Sequence, residues 1–448
     1  MNIDKIETNI KRNMYLHKSI NIKMHSNNEK IENERINIYP EIKFQEIIGF
    51  GAALTQSAGY LLSNVNKNVA NEIINEYFSK EGLNYSILRL PIGSSDFSTH
   101  SYSYSNKKDL SDFNIDEDEK YIIPIIEKAK SNSSNIQFLA TPWSPPSFMK
   151  NNKMLRFGGK LQDRYKDLYA EYLTKYILEY QKRNIDINYI TVQNEPNAVQ
   201  IWESCIYSAS EEADFIKNYL YPKLKANNLN TKIFIWDHNK DNMLYRVFNT
   251  ISDSEINEYI YGIAFHWYTG SHFENIKLVH DLFPSKLMFH TEGCTGYSHF
   301  NPKDELFNGE LYANEIIGDF NNGTNAFIDW NILLDYNGGP NHKNNYCNSP
   351  IMLNEDKTDY IKTPSFYYIA QFGKYIKPGA KRIAFSRYTE NIQVTAFQNP
   401  DKSVIIILLN KNDYNIEYNL CYKNYYFHDN MDSHAIVTFV INGDEKND

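Results

Sequence analysis

Through the middle of the chain, short runs of β-branched and aromatic residues recur. Each is followed by a longer stretch whose apolar positions repeat at helical spacing. The runs predict strands at residues 47–54, 85–91, 136–141, 189–193, 232–236, 262–265, 286–290 and 326–329. Helical patterns between them cover residues 66–80, 116–131, 164–183, 210–224 and 311–321. Ser210 followed by Glu211 and Glu212 reads as a helix N-cap with acidic residues in the first turn. Strands alternating with helices imply parallel pairing, and a count of eight implies closure into a (β/α)₈ TIM barrel of the α/β class. After Pro378 the texture changes to strands without helices, at residues 382–385, 393–398, 403–409, 414–422 and 435–441. Residues 21–43 also read as short strands that complete this all-β module from the other end of the chain. The expected division is 1–45, an N-terminal β segment; 46–378, the barrel; and 379–448, the C-terminal side domain.

Composition narrows the classes. With 42% hydrophobic and 23% charged residues among 448, the chain has a sizeable core to bury and is not globally disordered. Lys and Arg number 46 against 55 Asp and Glu, for a net charge of −9, which argues against nucleic acid as a partner. Aromatics reach 15%, with 35 Tyr, an excess that serves core packing and also surfaces that stack on sugars. Cys205, Cys294, Cys347 and Cys421 are widely spaced and form no CxxC pair, so a zinc ribbon or a dense disulfide scaffold is not expected. The acidic N-terminus lacks an apolar signal region, and the longest aliphatic run, residues 404–409, is too short for a bilayer. The expectation is a soluble, cytoplasmic protein with no transmembrane segment. Its oligomeric state is not legible.

In such a barrel, reactive groups project from the C-terminal ends of strands. Those ends carry Leu90-Pro91-Ile92-Gly93-Ser94-Ser95-Asp96, Thr141-Pro142-Trp143, Gln193-Asn194-Glu195-Pro196, Trp236-Asp237-His238, His266-Trp267-Tyr268, Thr291-Glu292-Gly293 and Asp329-Trp330-Asn331. Carboxylates, amides, imidazoles and indoles therefore converge on one face. Glu195, held before Pro196, and Glu292, before Gly293, end the fourth and seventh strands. Two carboxyls facing each other across a barrel mouth suit glycosidic cleavage: one protonates the leaving oxygen while the other attacks or stabilises the sugar cation. A separation of about 5–5.5 Å gives retention and roughly 6.5–9.5 Å gives inversion.

At these residues the sequence resembles glycoside hydrolase family 30, of the glucosylceramidase type. The matching blocks run in the family's order over roughly residues 44 to 441. They include Gly49-Phe50-Gly51-Ala52-Ala53, Arg89-Leu90-Pro91, Thr141-Pro142-Trp143-Ser144-Pro145-Pro146, Asn194-Glu195-Pro196, His266-Trp267-Tyr268, Thr291-Glu292 and Gly338-Gly339-Pro340-Asn341. The resemblance implies a β-sandwich-like side domain built from both termini and a retaining mechanism, with Glu195 as acid/base and Glu292 as nucleophile. It also implies that Asp96, Trp143, Asn194, His266, Tyr268, Trp330 and Asn341 bind the sugar, and that Arg89 supports the carboxylates. His342 stands where an aromatic is expected on the aglycone side, so the leaving group is the least transferable part.

Other readings are weaker. His238 and His266 suggest a metal, but the first strand lacks the His-x-His of barrel metallohydrolases, so neither metal nor other cofactor is expected. Gly49-x-Gly51 lacks the third glycine of a dinucleotide loop, and a tight turn accounts for it better. Cys294 reads as packing and Asp237 as a brace for a neighbour, while Trp202 and Trp267 read equally as groove or core. The sequence thus predicts a hydrolase that removes terminal β-linked glucose from glucosylceramide or a related β-glucoside, in transient contact with a lipid surface where the substrate is a glycolipid. The rivals are a β-1,6-glucanase or β-xylosidase on the same scaffold and a non-catalytic carbohydrate-binding protein.

Overall fold

In the computed structural model, which describes residues 1–27, 31–133 and 135–442, all eight barrel strands form. They are Gly49–Ala53, Ile87–Ile92, Gln137–Pro142, Ile187–Thr191, Lys232–Asn239, Ile260–His266, Leu287–Glu292 and Ala326–Asn331. They pair in parallel and in chain order, and the eighth closes on the first through Ala326–Gly49 and Phe327–Phe50. Strands covered on both faces need continuous apolar runs, and Ile87–Ile92 and Ala326–Asn331 are buried along their whole length. Ile87, Leu139, Tyr189, Phe234, Phe289 and Ile328 fill the barrel interior. Gly51 lies within the first strand, not in the tight turn expected there. A Cβ at this position would sit 2.1 Å from the Ile87 carbonyl oxygen, so glycine permits the close approach of the second strand.

The helices follow the pattern with shifted ends. The stretch 116–131 splits into Asp116–Tyr121 and Ile123–Asn132, the second starting with Pro124 in its first turn. The helix expected to begin at Ser210 is instead capped by Ser208, whose side chain accepts from Glu211 N while Glu211 bonds back to Ser208 N. Where Pro222 lacks an amide hydrogen, that helix widens into a π turn, Ile216–Leu220, before continuing as Tyr221–Ala226. Beyond the expected set, Gln56–Asn64 forms a helix capped by Thr55.

The side domain is one ten-stranded sheet drawn from both ends of the chain. Asn2–Asn9 pairs antiparallel with Ala435–Ile441, and Arg35–Glu46 pairs with both Lys381–Arg387 and Ile416–Tyr422. Strands distant in the sheet order share one core, with the Phe439 ring against Phe427 and Tyr418, so the sheet folds back into a sandwich. The sequence pattern did not predict the hairpin Asn2–Asn9 with Met14–Lys23, nor the strand Tyr425–Met431. Residues 28–30 of the expected N-terminal strands and 443–448 of the expected side domain lie outside the described residues.

Candidate active site

The C-terminal ends of the barrel strands surround a cavity of about 350 Å³. Of the residues singled out in the sequence, Asp96, Trp143, Asn194, Glu195, Tyr268, Glu292 and Trp330 line it. Arg89, His266 and Asn341 are buried and stand behind the wall, where they hold the residues that line it.

The base of the site is a charge network centred on Arg89, which is fully buried. Its guanidinium donates to Glu292 Oε2 at 2.5 Å, to Asn194 Oδ1 at 2.8 Å and to Asp237 Oδ2 at 3.0 Å. It also lies 4.8 Å and 5.6 Å from the ring centroids of Trp143 and Trp330, which stack on each other. Tyr268 Oη donates to the other oxygen of Glu292, Oε1, at 2.9 Å. Both oxygens of Glu292 are thereby fixed by donors.

Asp237 braces this network from the fifth strand. Trp236 and Asp237 both have positive φ, 75° and 53°, and Asp237 is skipped in the pairing with the sixth strand, a bulge that aims its carboxylate into the barrel. It accepts from Thr191 at 2.9 Å and Thr291 at 2.6 Å and lies 3.0 Å from His266 Nε2. Burial opposes its ionisation, but Arg89 and His266 outweigh that and hold Asp237 well below the usual carboxylate range. The reading of Asp237 as a brace for its neighbours matches this geometry.

Glu195 adopts φ 48°, a left-handed turn before Pro196, and its Oε1 lies 3.3 Å from His266 Nδ1 and 3.7 Å from His238 Nδ1. Burial would lower the pKa of His266, but Glu292, Asp237 and Glu195 together lift it to about 9. Burial would raise Glu195, and the two imidazoles outweigh it and pull the carboxyl down. Both directions place the proton of the pair on the His266 side. Ligating atoms of Glu195, His238 and His266 lie within 4.8 Å of one another.

Across the cavity, Asp96 Oδ2 accepts from Asn341 and Asn345, both at 3.1 Å. Burial nevertheless pushes Asp96 up to about 7. Asn345 escapes sequence reading; its only signal is the asparagine-rich stretch that follows Asn341. His342 points back rather than into the cavity: its Nδ1 lies 3.0 Å from the Asp96 carbonyl and 3.1 Å from that of Ser98, and its Nε2 lies 3.5 Å from Glu203. Tyr346 and Trp202 supply aromatics at the mouth instead, which settles Trp202 as cavity wall. Trp267 is core, packed edge-on against His290 and Tyr312.

With two carboxyls held this differently over a tryptophan floor, the comparisons with known proteins are decisive. The model of the glycosyl hydrolase family 30 TIM-barrel domain matches residues 47–376, and that of the family's beta sandwich domain matches residues 379–439. The chain belongs to glycoside hydrolase family 30. It is 30% identical over 396 residues to the lysosomal acid glucosylceramidase of Mus musculus, covering 84% of this chain and 77% of that protein. The crystal structure of SrfJ from Salmonella typhimurium superposes with a TM-score of 0.96 at 30% identity, over 99% of this chain and 100% of that one. The endo-beta1,6-glucanase BT3312 gives a TM-score of 0.88 at 28% identity, again over 99% and 100%. Membership in family 30 makes the chain a glycoside hydrolase.

Proposed function

We propose that this family 30 enzyme is a retaining β-glucosidase that removes a terminal β-linked glucose from glucosylceramide or a related β-glucoside. The observation that carries the reading is the unequal treatment of the two carboxyls. Glu292 receives donors on both oxygens, from Arg89 and Tyr268, which fix it in one position, as suits a nucleophile. Glu195 instead faces two imidazoles with which it can trade a proton.

In this mechanism a proton passes from His266 to Glu195 through the bond between them, and Glu195 delivers it to the glycosidic oxygen, which leaves Glu195 ionised. Glu292 attacks the anomeric carbon, forming a glucosyl ester as the aglycone leaves. Glu195 then takes a proton from water, and the water attacks the same carbon, releasing glucose with its configuration retained. Asn194, fixed by Arg89, donates to the 2-hydroxyl, and Asp96 accepts from hydroxyls farther round the ring. A cavity near the small end of the range for ligand sites, ~300–1,000 Å³, suits a terminal sugar better than an internal one.

The second reading is an endo-β-1,6-glucanase, favoured by the likeness to such an enzyme at a TM-score of 0.88. The test compares sugar release from glucosylceramide micelles and from β-1,6-linked gluco-oligosaccharides, with Glu292→Gln as the blank. Free glucose from the lipid supports the proposal, and preferred internal cleavage of the oligosaccharide supports the rival. Glu195→Gly separates the roles: activity on an unactivated glucoside falls by about 10²–10⁴, the usual worth of acid–base catalysis. An activated aryl glucoside is spared at its first step, and azide rescues turnover with a β-glucosyl azide as product. Full activity of Glu195→Gly on the unactivated glucoside overturns the assignment.

A further inference from the structure

We propose that Cys294 and Cys347 form a modifiable dithiol in the wall of the active-site cavity, which a low-molecular-weight disulfide converts into an internal disulfide that shuts the site. Neither residue has a place in the hydrolytic mechanism, yet both line the cavity. They lie on separate loops, after the seventh and eighth barrel strands, that pair along their backbones. Gly296 and Cys347 form an antiparallel bridge, and Asn348 N donates to the Thr295 carbonyl at 2.9 Å. This pairing sets Cys294, two residues before Gly296, on the same face of the paired loops as Cys347, and both belong to one apolar cluster with Trp143 and Trp330. Cys205 and Cys421, by contrast, are buried away from the cavity.

The position gives the pair a hold on the site from two sides. Tyr268 Oη lies 3.5 Å from Cys294 Sγ while donating to Glu292. Cys347 is two residues beyond Asn345, which donates to Asp96. Drawing the two sulfurs into a covalent bond shifts both loops, and so disturbs Tyr268 and Asn345 together.

Cys294 is the more exposed thiol and attacks first. Its thiolate displaces one thiol from the small disulfide, leaving a mixed disulfide on Cys294. The Cys347 thiolate then attacks the Cys294 sulfur and expels the second thiol. One small disulfide is reduced to two thiols as one protein disulfide forms, with the two protein protons passing to the released thiolates. The contact with Cys347 and burial hold the Cys294 thiol well above its ordinary range, so the reaction accelerates as pH rises toward it.

Reduced protein is incubated with glutathione disulfide, and unreduced peptides are read by mass spectrometry while glucoside hydrolysis is followed in parallel. The expected result is a peptide pair joined through Cys294 and Cys347 and at least a tenfold loss of activity, reversed by dithiothreitol and slowed by a non-hydrolysable thioglucoside. Cys347→Ser is expected to stop at the mixed disulfide on Cys294, and Cys294→Ser to keep its own starting activity. Absence of the joined pair, or its formation without loss of activity, overturns the proposal. The activity arm rests on the glycosidase reading of the site; the mass measurement does not. A reduced protein without hydrolysis therefore counts against that reading while the peptides still decide the dithiol.

Discussion

Asp96 is pushed up to about 7 by burial even though two asparagine amides donate to it. Sugar hydroxyls donating to the same carboxyl favour its ionised form, so binding a neutral glucoside below that pH releases a proton. The affinity of a non-hydrolysable thioglucoside is therefore expected to rise with pH up to about 7 and then level off, being about tenfold weaker one unit below the plateau. Calorimetry across pH checks this, and Asp96→Asn should bind more weakly with the pH dependence gone. An affinity flat from pH 5 to 8 in the parent protein defeats the idea. The same shift has a sign for stability: a carboxyl raised in the fold binds its proton more tightly than in the unfolded chain, so its contribution declines as pH climbs from about 4 to about 7. Asp96 was legible because it follows the second barrel strand within a recognisable block. Asn345 was not, because an amide in a loop of asparagines carries no periodic signal and only the folded loop turns it toward Asp96.

Between neighbouring elements, the buried Lys240 ties the turn after the fifth strand to the helix Pro302–Asn321. Its Nζ donates to Glu315 at 2.5 Å and to Asp319 at 2.9 Å, and Asp319 in turn bonds the buried His290 of the seventh strand at 2.6 Å. A buried cation shared by two carboxylates adds little net energy over an apolar core, but removing it alone leaves two negative charges stranded. Lys240→Met is expected to cost about 3–5 kcal/mol in chemical denaturation. The triple variant that adds Glu315→Gln and Asp319→Asn should recover much of that loss; equal stability of parent and single variant contradicts the argument. Strands and helices were legible because apolar spacing reports burial directly. The bulge at Asp237 was not: the pattern ends that strand at Trp236, while the structure carries it through Asn239. A residue inserted for geometry leaves the alternation around it looking like a loop.

For the molecule as a whole, barrel and sandwich are interlocked rather than strung together, with Gln371 of the last barrel helix bonded to Thr8 and Thr438 from opposite ends of the chain. That closure was only half visible in sequence, since the first hairpin is largely polar on its exposed face and lacks the apolar runs that mark the barrel. The barrel's open face carries the opposite feature: on the loops after its third and fourth strands, Met154, Phe157, Val199 and Ile201 are 48, 45, 60 and 54% exposed. Phe157, Val199 and Ile201 border the cavity, because Gln200 and Trp202, interleaved with Val199 and Ile201, line it, and Phe157 N donates to the Gln200 carbonyl at 2.8 Å. Large apolar side chains left in water beside a mouth suit a substrate presented by a lipid surface. Among the described residues no helix is long and apolar enough to cross a membrane, so contact of this kind would be made by side chains at the face. Replacing Phe157 and Ile201 with Ser should leave hydrolysis of a soluble aryl glucoside within about twofold, since exposed positions contribute little to stability. On glucosylceramide in vesicles the same variant should lose about tenfold or more, as burying each side chain in a lipid interface is worth about 1.5–3 kcal/mol at full burial. Equal losses on both substrates would place these residues in the fold of the loops, and no loss on either would detach the apolar rim from the lipid and strengthen the case for a soluble glucan.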